Sequence, residues 1–449
     1  MFSYLKLENF KSFNKIKVDF RGANGIPKNM IFIYGENGSG KSNLVSAFQF
    51  LKETIETLNF QNRVSTLLQN AKGNLSENSI KLPDTKYLHF FLKDLNKLKN
   101  EAHTIGSNDD MVLEYGFNLD GIEGRYRLVF GDKLKEECLY YQIEKNRGYI
   151  FDINNENKKL SKKIFHDLDY KEHLEDLIEQ FWGKHTFLSI LENEINQKNY
   201  NYLQKRIGIS LFKVMHFFTT YSLKCKSGNK SETFVLGTRY KVLMDLGNGI
   251  LQLTDEKLLS KKEDLIRYFL TSIYSDIKDV YYLKEIDTEN NEIKYQLYLK
   301  KLIGGKLRDV DFSLESTGTQ NLMKLFLPLV ECAFGNTSII DEADTGIHDL
   351  LFNILIEGIS DSIEGQLIIT THNTTLLEKM KNENIYFILV DINGNKKVVN
   401  INDYDMRTQI TNNIRERYLK GMYGAVPNPG SFNFDNILFM LDEYRENEG

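Results

Sequence analysis

Residues 30–58 constrain the fold more than any other stretch of the chain. Met30–Tyr34 is an apolar run of buried-strand length. The octet Gly35-Glu36-Asn37-Gly38-Ser39-Gly40-Lys41-Ser42 follows at once, and Asn43–Leu58 repeats its apolar residues with helical spacing. The octet fits the pattern G-x-x-x-x-G-K followed by Ser or Thr. Its glycines let successive backbone N–H groups turn inward and wrap phosphate oxygens, aided by the N-terminus of the next helix. Lys41 would neutralise the β- and γ-phosphates, and the Ser42 hydroxyl is placed to ligate Mg2+. The required context, a strand before and a helix after, is present. Gly35, Asn37, Gly38, Ser39, Gly40, Lys41 and Ser42 therefore read as a nucleotide-binding loop, with Mg2+ at Ser42.

A phosphate loop needs carboxylates to hold metal and to activate water. Ser338-Ile339-Ile340-Asp341-Glu342 offers them at the end of an apolar strand. Asp341 would hold Mg2+ through water, and Glu342 would act as general base on the attacking water. Only two strongly apolar residues precede Asp341, so this pair is weak alone, and two neighbours strengthen it. The loop Leu314-Glu315-Ser316-Thr317-Gly318-Thr319-Gln320 opens a helix, with Ser316 lying 25 residues before Asp341 (341 − 316). Such a loop makes a second anion site. Thr371-His372 ends the next apolar strand, 31 residues after Asp341 (372 − 341). A histidine there can hydrogen-bond a γ-phosphate.

Composition limits the rest. The 449 residues allow two or three compact units, and 41% hydrophobic with 27% charged residues is ordinary for a chain with a real core. A net charge of −5 argues against a coat-like nucleic-acid binder but leaves room for a local basic groove. Cys138, Cys225 and Cys332 stand far apart with no C-x-x-C, which speaks against a disulfide framework or a zinc finger. No apolar run reaches the ~18–20 residues that span a bilayer, and the N-terminus does not read as a signal peptide. A reduced, cytoplasmic protein without a membrane partner is expected. Strand alternation fills 1–20 and returns over 111–151. Lys158 to about Leu223 and Asp255 to about Asp276 read as helices, and a hairpin arm of roughly 30 residues a side would reach only ~45 Å. Strands resume near Val280–Lys301, and the last ten residues look like a frayed helix or tail.

The order of phosphate loop, S-x-G-x-Q loop, Asp-Glu pair and histidine resembles the ABC-type ATPases of the SMC, RecF and OLD group. The resemblance implies an α/β fold: a two-lobed P-loop ATPase head, with a mixed sheet and an antiparallel β-subdomain, and a helical insertion. The lobes would be 1–154 and 280–449, and the insertion 155–279. In that group two chains pack head to tail around two ATP molecules. Ser316, Gly318 and Gln320 would then face the γ-phosphate held by Lys41 of the other chain. The opening LENFKSFNKIKVDF also resembles the group's start and puts Lys11 near the α-phosphate. Asp344-Thr345-Gly346-Ile347-His348 falls where the group has the D-loop that crosses between subunits. More narrowly, YRLVF…CLYY, TFLSILENE, ESTGTQ, TTHNTTLL and RERYLKGMYGAVP resemble the AAA15 subset. That subset includes ATPase subunits of abortive-infection and related phage-defence pairs of AbiL, RloA or PARIS type, which act beside a separately encoded, often TOPRIM-like nuclease. The implied protein is an ATP-driven switch, a homodimer or higher even-numbered assembly, that controls a toxic effector upon a phage protein trigger. Two alternatives stand beside it: a DNA-repair or chromosome-maintenance ATPase that grips DNA directly, and a scaffold that binds ATP with little hydrolysis.

The chain departs from the group in one respect. Between Gln69 and Gln142 it has no glutamine, so the Mg2+-sensing Q-loop is missing or replaced. Only 77 residues follow His372 (449 − 372), too few for a TOPRIM module of about 100 residues. Asp391, Asp403 and Asp405 read as surface carboxylates, and any nuclease is expected on another chain. Asn395-Lys396-Lys397-Val398 lacks the acid a guanine-reading motif needs. Lys158–Lys163 could touch DNA or RNA phosphates or start a solvated helix. Arg415, Arg417, Tyr418 and Tyr423, before a turn ending at Pro427, suit either partner docking or C-terminal packing. Phe181-Trp182 reads as helix core.

Overall fold

The N-terminal alternation builds an antiparallel pair, β1 (Phe2–Phe10) and β2 (Phe13–Asp19), with Leu5, Leu7, Ile16 and Val18 turned into the core. β3 (Met30–Tyr34) is buried at every position, as a central parallel strand is. α1 (Lys41–Gly73) leaves it through the glycine loop. The computed structural model describes residues 1–73, 94–225, 233–235, 237, 244–404, 413–426 and 433–447. After α2 (Leu95–Ala102), a meander of β4 (Met111–Leu119), β5 (Ile122–Phe130), β6 (Leu134–Ile143), β7 (Asn146–Asn154) and β8 (Lys158–Leu160) joins the first pair. Together they form a seven-stranded antiparallel sheet in the order β2-β1-β4-β5-β6-β7-β8. Lys158–Leu160, expected as the start of a helix, is thus a sheet-edge strand. Its backbone pairs with Phe151–Ile153, and Lys158 bonds Glu179 across 2.5 Å.

Four helices follow: α3 (Leu168–Phe181), α4 (Phe187–Gln197), α5 (Tyr200–Gln204) and α6 (Ile209–Thr220). α4 and α6 lie against α1, and α3 packs on α4 and β8, rather than projecting as a hairpin arm. Leu174, Leu188, Leu191 and Phe218 share one apolar cluster with Leu44, Phe48 and Leu51. A buried polar seam fixes the contact. Ser189 Oγ accepts from the Leu58 N–H at 3.0 Å, and Thr186 Oγ1 donates to Thr54 O at 3.1 Å. On the sheet side, Glu137 is fully buried and accepts from the Trp182 indole, the Tyr126 hydroxyl and the Phe187 N–H at the start of α4. Trp182 thus anchors α3 and α4 to β6.

β9 (Ser222–Cys225) and β10 (Thr233–Val235) then enter the central sheet. A third, smaller antiparallel sheet comes from β11 (Asn248–Gln252), β12 (Ile277–Asp287), β13 (Glu292–Ile303) and β14 (Lys306–Asp311), with α7 (Lys257–Ile273) against β12. The span 155–279 therefore gives strands to all three sheets.

The remaining elements are α8 (Thr317–Ala333), β15 (Thr337–Ile340), α9 (Asp349–Ser360), β16 (Gln366–Thr370), β17 (Ile385–Val390), β18 (Lys396–Asn400), α10 (Ile414–Leu419) and α11 (Phe434–Asn447). The central sheet runs β10-β9-β15-β16-β3-β17-β18, parallel from β9 to β17 and antiparallel at both edges. Alternation along its strands splits the core in two. Ile31, Ile33, Ile339 and Ile368 face α1 and the antiparallel sheet. Phe32, Ile340, Leu367 and Phe387 face α8, α9 and the small sheet. Tyr418 and Tyr423 are buried and stack on Phe387 at 5.4 and 4.9 Å, so this segment is C-terminal packing. Asp405 and Pro427 lie outside the described residues. Among the described residues no helix is long and apolar enough to cross a membrane.

Candidate nucleotide site

β3, β15 and β16 all end at the same edge of the central sheet, the edge at which open parallel sheets bind ligands. From β3 the chain turns through Gly38 at φ +81° and Gly40 at φ +108°, conformations cheap only for glycine. A Cβ on Gly40 would stand 3.0 Å from Phe13 Cζ and 3.2 Å from Ser12 Oγ, so the β1–β2 turn presses on the loop. Ser12 Oγ accepts from Asn43 Nδ2 at 2.7 Å. Lys11 sits in this turn at φ +49°, its N–H donating to Ala102 O at 2.6 Å. Lys41 curls back over the loop, and Nζ donates to Gly35 O at 2.7 Å and Glu36 O at 3.0 Å. Burial lowers its pKa, while Asp341, Glu342, Asp344 and Glu36 pull it back up. Ser39 Oγ is buried with no hydrogen-bond partner.

The two carboxylates stand across from Lys41. The Asp341 N–H donates to Lys224 O on β9 at 2.8 Å. Asp341 Oδ1 accepts from the Thr370 hydroxyl at 2.6 Å, but Oδ2 is buried and unpartnered. Burial raises the pKa of this carboxyl, and the Thr370 and Ser42 hydroxyls and Lys41 oppose the rise. Glu342 takes a left-handed backbone, φ +47°, costly for a residue with a Cβ. Thr370 holds it there: its Oγ1 accepts from the Glu342 N–H at 2.8 Å and its carbonyl from the Ala343 N–H at 3.0 Å. His372, two residues on, donates its N–H to Asp344 Oδ2 at 3.1 Å. Burial and Lys41 lower the imidazole pKa.

Ser316 caps α8, accepting from the Thr319 N–H at 3.2 Å. Gln320 Nε2 donates to Ser313 O and Glu315 O. A Cβ on Gly318 would stand 2.8 Å from Gly346 O, and Asn321 Nδ2 donates to Thr345 O at 3.1 Å. Gly318 and Asn321 thus bring the start of α8 against the 344–348 loop, while Ser316 and Gln320 bond within 313–319. Their hydrogen bonds among the described residues stay within that neighbourhood and do not reach residues 35–42. Ser316 and Thr317 are open to solvent.

Two residues at the site escape sequence reasoning. Thr370 looks like any strand-end threonine, and only the parallel pairing of β15 with β16 sets it beside Asp341. Lys396 reaches the loop from β18, its Nζ donating to Gly38 O at 2.9 Å and Ser12 Oγ at 2.8 Å. No local signal marks it.

The donor set fits a magnesium nucleotide. Asp341 Oδ2 and Ser39 Oγ are orphaned buried oxygens, and no glycine of the loop could carry a side chain without closing the cradle or straining the backbone. Among the described residues no group of three or more His, Cys, Asp or Glu could hold a metal alone. A cation here would draw its other ligands from phosphate and water.

A family model for the AAA ATPase domain (AAA_15) matches residues 1–377. No curated protein matches the chain. Several solved structures are similar at low identity. The SMC head domain from Thermotoga maritima is 14% identical, with 89% of this chain and 98% of that one covered and a TM-score of 0.35. The Smc head domain with an extended coiled coil, bound to the C-terminal domain of ScpA and derived from Pyrococcus furiosus, is 14% identical, with 89% and 95% covered and a TM-score of 0.40. The recombination mediator protein RecF is 11% identical, with 89% and 98% covered and a TM-score of 0.36.

Proposed function

The chain belongs to the AAA ATPase domain family, and on that footing we propose that it is an ABC-type ATPase of the cytoplasm whose site closes between two copies. The observation that carries this reading is Asp341 Oδ2, buried without a partner beside the phosphate loop. A carboxylate oxygen is costly to desolvate unless something compensates it, and a hydrated cation does so. Ser42 and, through water, Asp341 would hold Mg2+, whose charge would neutralise the β- and γ-phosphates of ATP. Lys41 exchanges the carbonyls of Gly35 and Glu36 for phosphate oxygens. Glu342 takes a proton from the attacking water, with Thr370 fixing its backbone. His372, its imidazole kept neutral, hydrogen-bonds the γ-phosphate.

Ser316 and Thr317 lie open to solvent, and Gly318 and Asn321 beside them pack against residues 344–348. That supports a head-to-tail pair in which Ser316, Gly318 and Gln320 of one copy complete the site of the other. Driving such a pair from mostly open to mostly closed takes about 5 kcal/mol of differential binding. Charge-assisted contacts at two sites supply that order of energy. Hydrolysis removes the bridging γ-phosphate and reopens the pair.

The finer role we propose is antiviral: the open–closed switch restrains a separately encoded effector, a TOPRIM-like nuclease in kind, until a phage protein tips it. The motif resemblance to phage-defence ATPase subunits supports this. The test is phage plaquing on a host carrying this gene with its native neighbour, beside the same locus with Lys41→Ala. Protection lost in the variant is the expected result. No protection across a broad phage panel, with both proteins expressed, would overturn the antiviral role and turn attention to DNA-stimulated hydrolysis, the mark of a DNA-maintenance ATPase.

A further inference from the structure

We propose that Lys396 is a nucleotide-binding residue, a second cation at the phosphate loop supplied from the far end of the chain. The inference rests on the nucleotide reading of the loop but lies outside residues 1–377, which the family model matches. The β17–β18 turn is built to present this side chain. Asp391 Oδ1 accepts from the N–H groups of Asn393 and Asn395 at 2.9 and 2.8 Å, and Gly394 closes the turn at φ +79°. Asn14 Nδ2 then donates to Asn395 Oδ1 at 3.0 Å, which clasps the turn to the β1–β2 turn beside the loop. Lys396 is thereby held with Nζ on Gly38 O and Ser12 Oγ, 3.3 Å from where a Cβ of Gly40 would lie.

The chemistry favours an anion. An ammonium has three donors, and these two bonds to neutral oxygens use two of them. Its charge is half-buried, and desolvation lowers its pKa, with Glu36 as the carboxylate that opposes the shift. A phosphate oxygen at the rim of the loop would take the third donor and offset the desolvation. Lys41 and Lys396 also bind different carbonyls, Gly35 and Glu36 for the first and Gly38 for the second. The two lysines thus bracket the loop. Lys396 serves phosphates that ADP and ATP share, and Lys41 reaches the γ-position.

The experiment is calorimetric titration of the full chain with MgATP and MgADP at two salt concentrations, for wild type, Lys396→Gln, Lys396→Arg, Asn14→Ala and Lys41→Ala. Loss of one charge-assisted contact should weaken both nucleotides roughly tenfold in Lys396→Gln and flatten the salt dependence. Lys396→Arg should keep most of the affinity. Asn14→Ala, which loosens the clasp and leaves the charge, should weaken binding clearly less than Lys396→Gln. Wild-type affinity in Lys396→Gln, with binding lost in Lys41→Ala, would overturn the role of Lys396 alone. Wild-type affinity in Lys41→Ala would overturn the nucleotide reading itself. Equal loss in Asn14→Ala and Lys396→Gln would reduce Lys396 to a structural clasp and refute its contact with nucleotide. One further readout needs no variant: MgADP should slow acylation of Lys396 in the wild-type chain, and an unchanged rate would contradict the contact.

Discussion

The Thr370 hydroxyl donates to Asp341 Oδ1 across 2.6 Å, joining the ends of two adjacent parallel strands. The Thr370 hydroxyl oxygen also accepts from the Glu342 N–H. One side chain therefore sets both carboxylates, Asp341 by its oxygen and Glu342 by its backbone. Valine has nearly the same shape without the hydroxyl. Thr370→Val leaves a buried carboxylate oxygen and a backbone N–H unpaired, which costs about 1–3 kcal/mol of stability. Turnover should fall at least about tenfold while nucleotide affinity changes little, because Lys41 and the loop are untouched. Urea unfolding and phosphate release check the two halves. Unchanged turnover would place the water-activating group elsewhere.

Glu342 combines strain with chemistry. At φ +47° a side chain costs on the order of 1 kcal/mol relative to glycine. Glu342→Gly should therefore unfold at a higher urea concentration than Glu342→Ala, although both lose hydrolysis. Glu342→Gln keeps the shape and should bind ATP normally while turnover drops by about 10²-fold or more. Equal stability of the glycine and alanine variants would mean the backbone at 342 is not strained.

The parts of this site that lie within a few residues of one another are legible in the sequence. Glycines at 38 and 40 are needed wherever a strand must turn into a helix around phosphate, and Ser316 before a helical apolar pattern announces its cap. What the sequence does not reveal is produced by pairing at a distance. Ser222 and Leu223 read as the tail of a helical stretch, yet Ser222–Cys225 lies parallel to β15 with Leu223 opposite Ile339. Four residues carry too little period to separate strand from helix, and the partner that makes them a strand comes more than a hundred residues later. Lys158–Leu160 misleads through shortness alone: three residues carry no period, and they become a strand against the nearby Phe151–Ile153. Thr370 and Lys396 acquire their roles through the sheet order, which no local pattern encodes.

The seam between α1 and α4 should respond to acid. His185 lies buried with Nδ1 2.9 Å from Thr57 Oγ1 and Nε2 2.8 Å from Gln61 Oε1. Burial, with Lys184 nearby, pushes the imidazole down to about 4. An unfolded histidine titrates near 6.5. Between these values the unfolded chain holds a proton the folded chain lacks, so stability falls as pH drops from about 6.5 toward 4. One group contributes at most about 1.4 kcal/mol per pH unit. His185→Gln should flatten the profile in that window and leave it unchanged above pH 7. An identical slope in the variant would show that His185 is not the group responsible.

The most direct test of the composite site is complementation between two inactive variants. Lys41→Ala lacks the lysine of the phosphate loop, and Ser316→Arg blocks the loop that serves the other copy. Each alone should hydrolyse no ATP. Random pairing makes half the dimers mixed, each with one intact site of two, so an equimolar mixture should recover about a quarter of wild-type turnover. Activity of Ser316→Arg on its own, or a mixture as silent as its parts, would contradict a site shared between two copies.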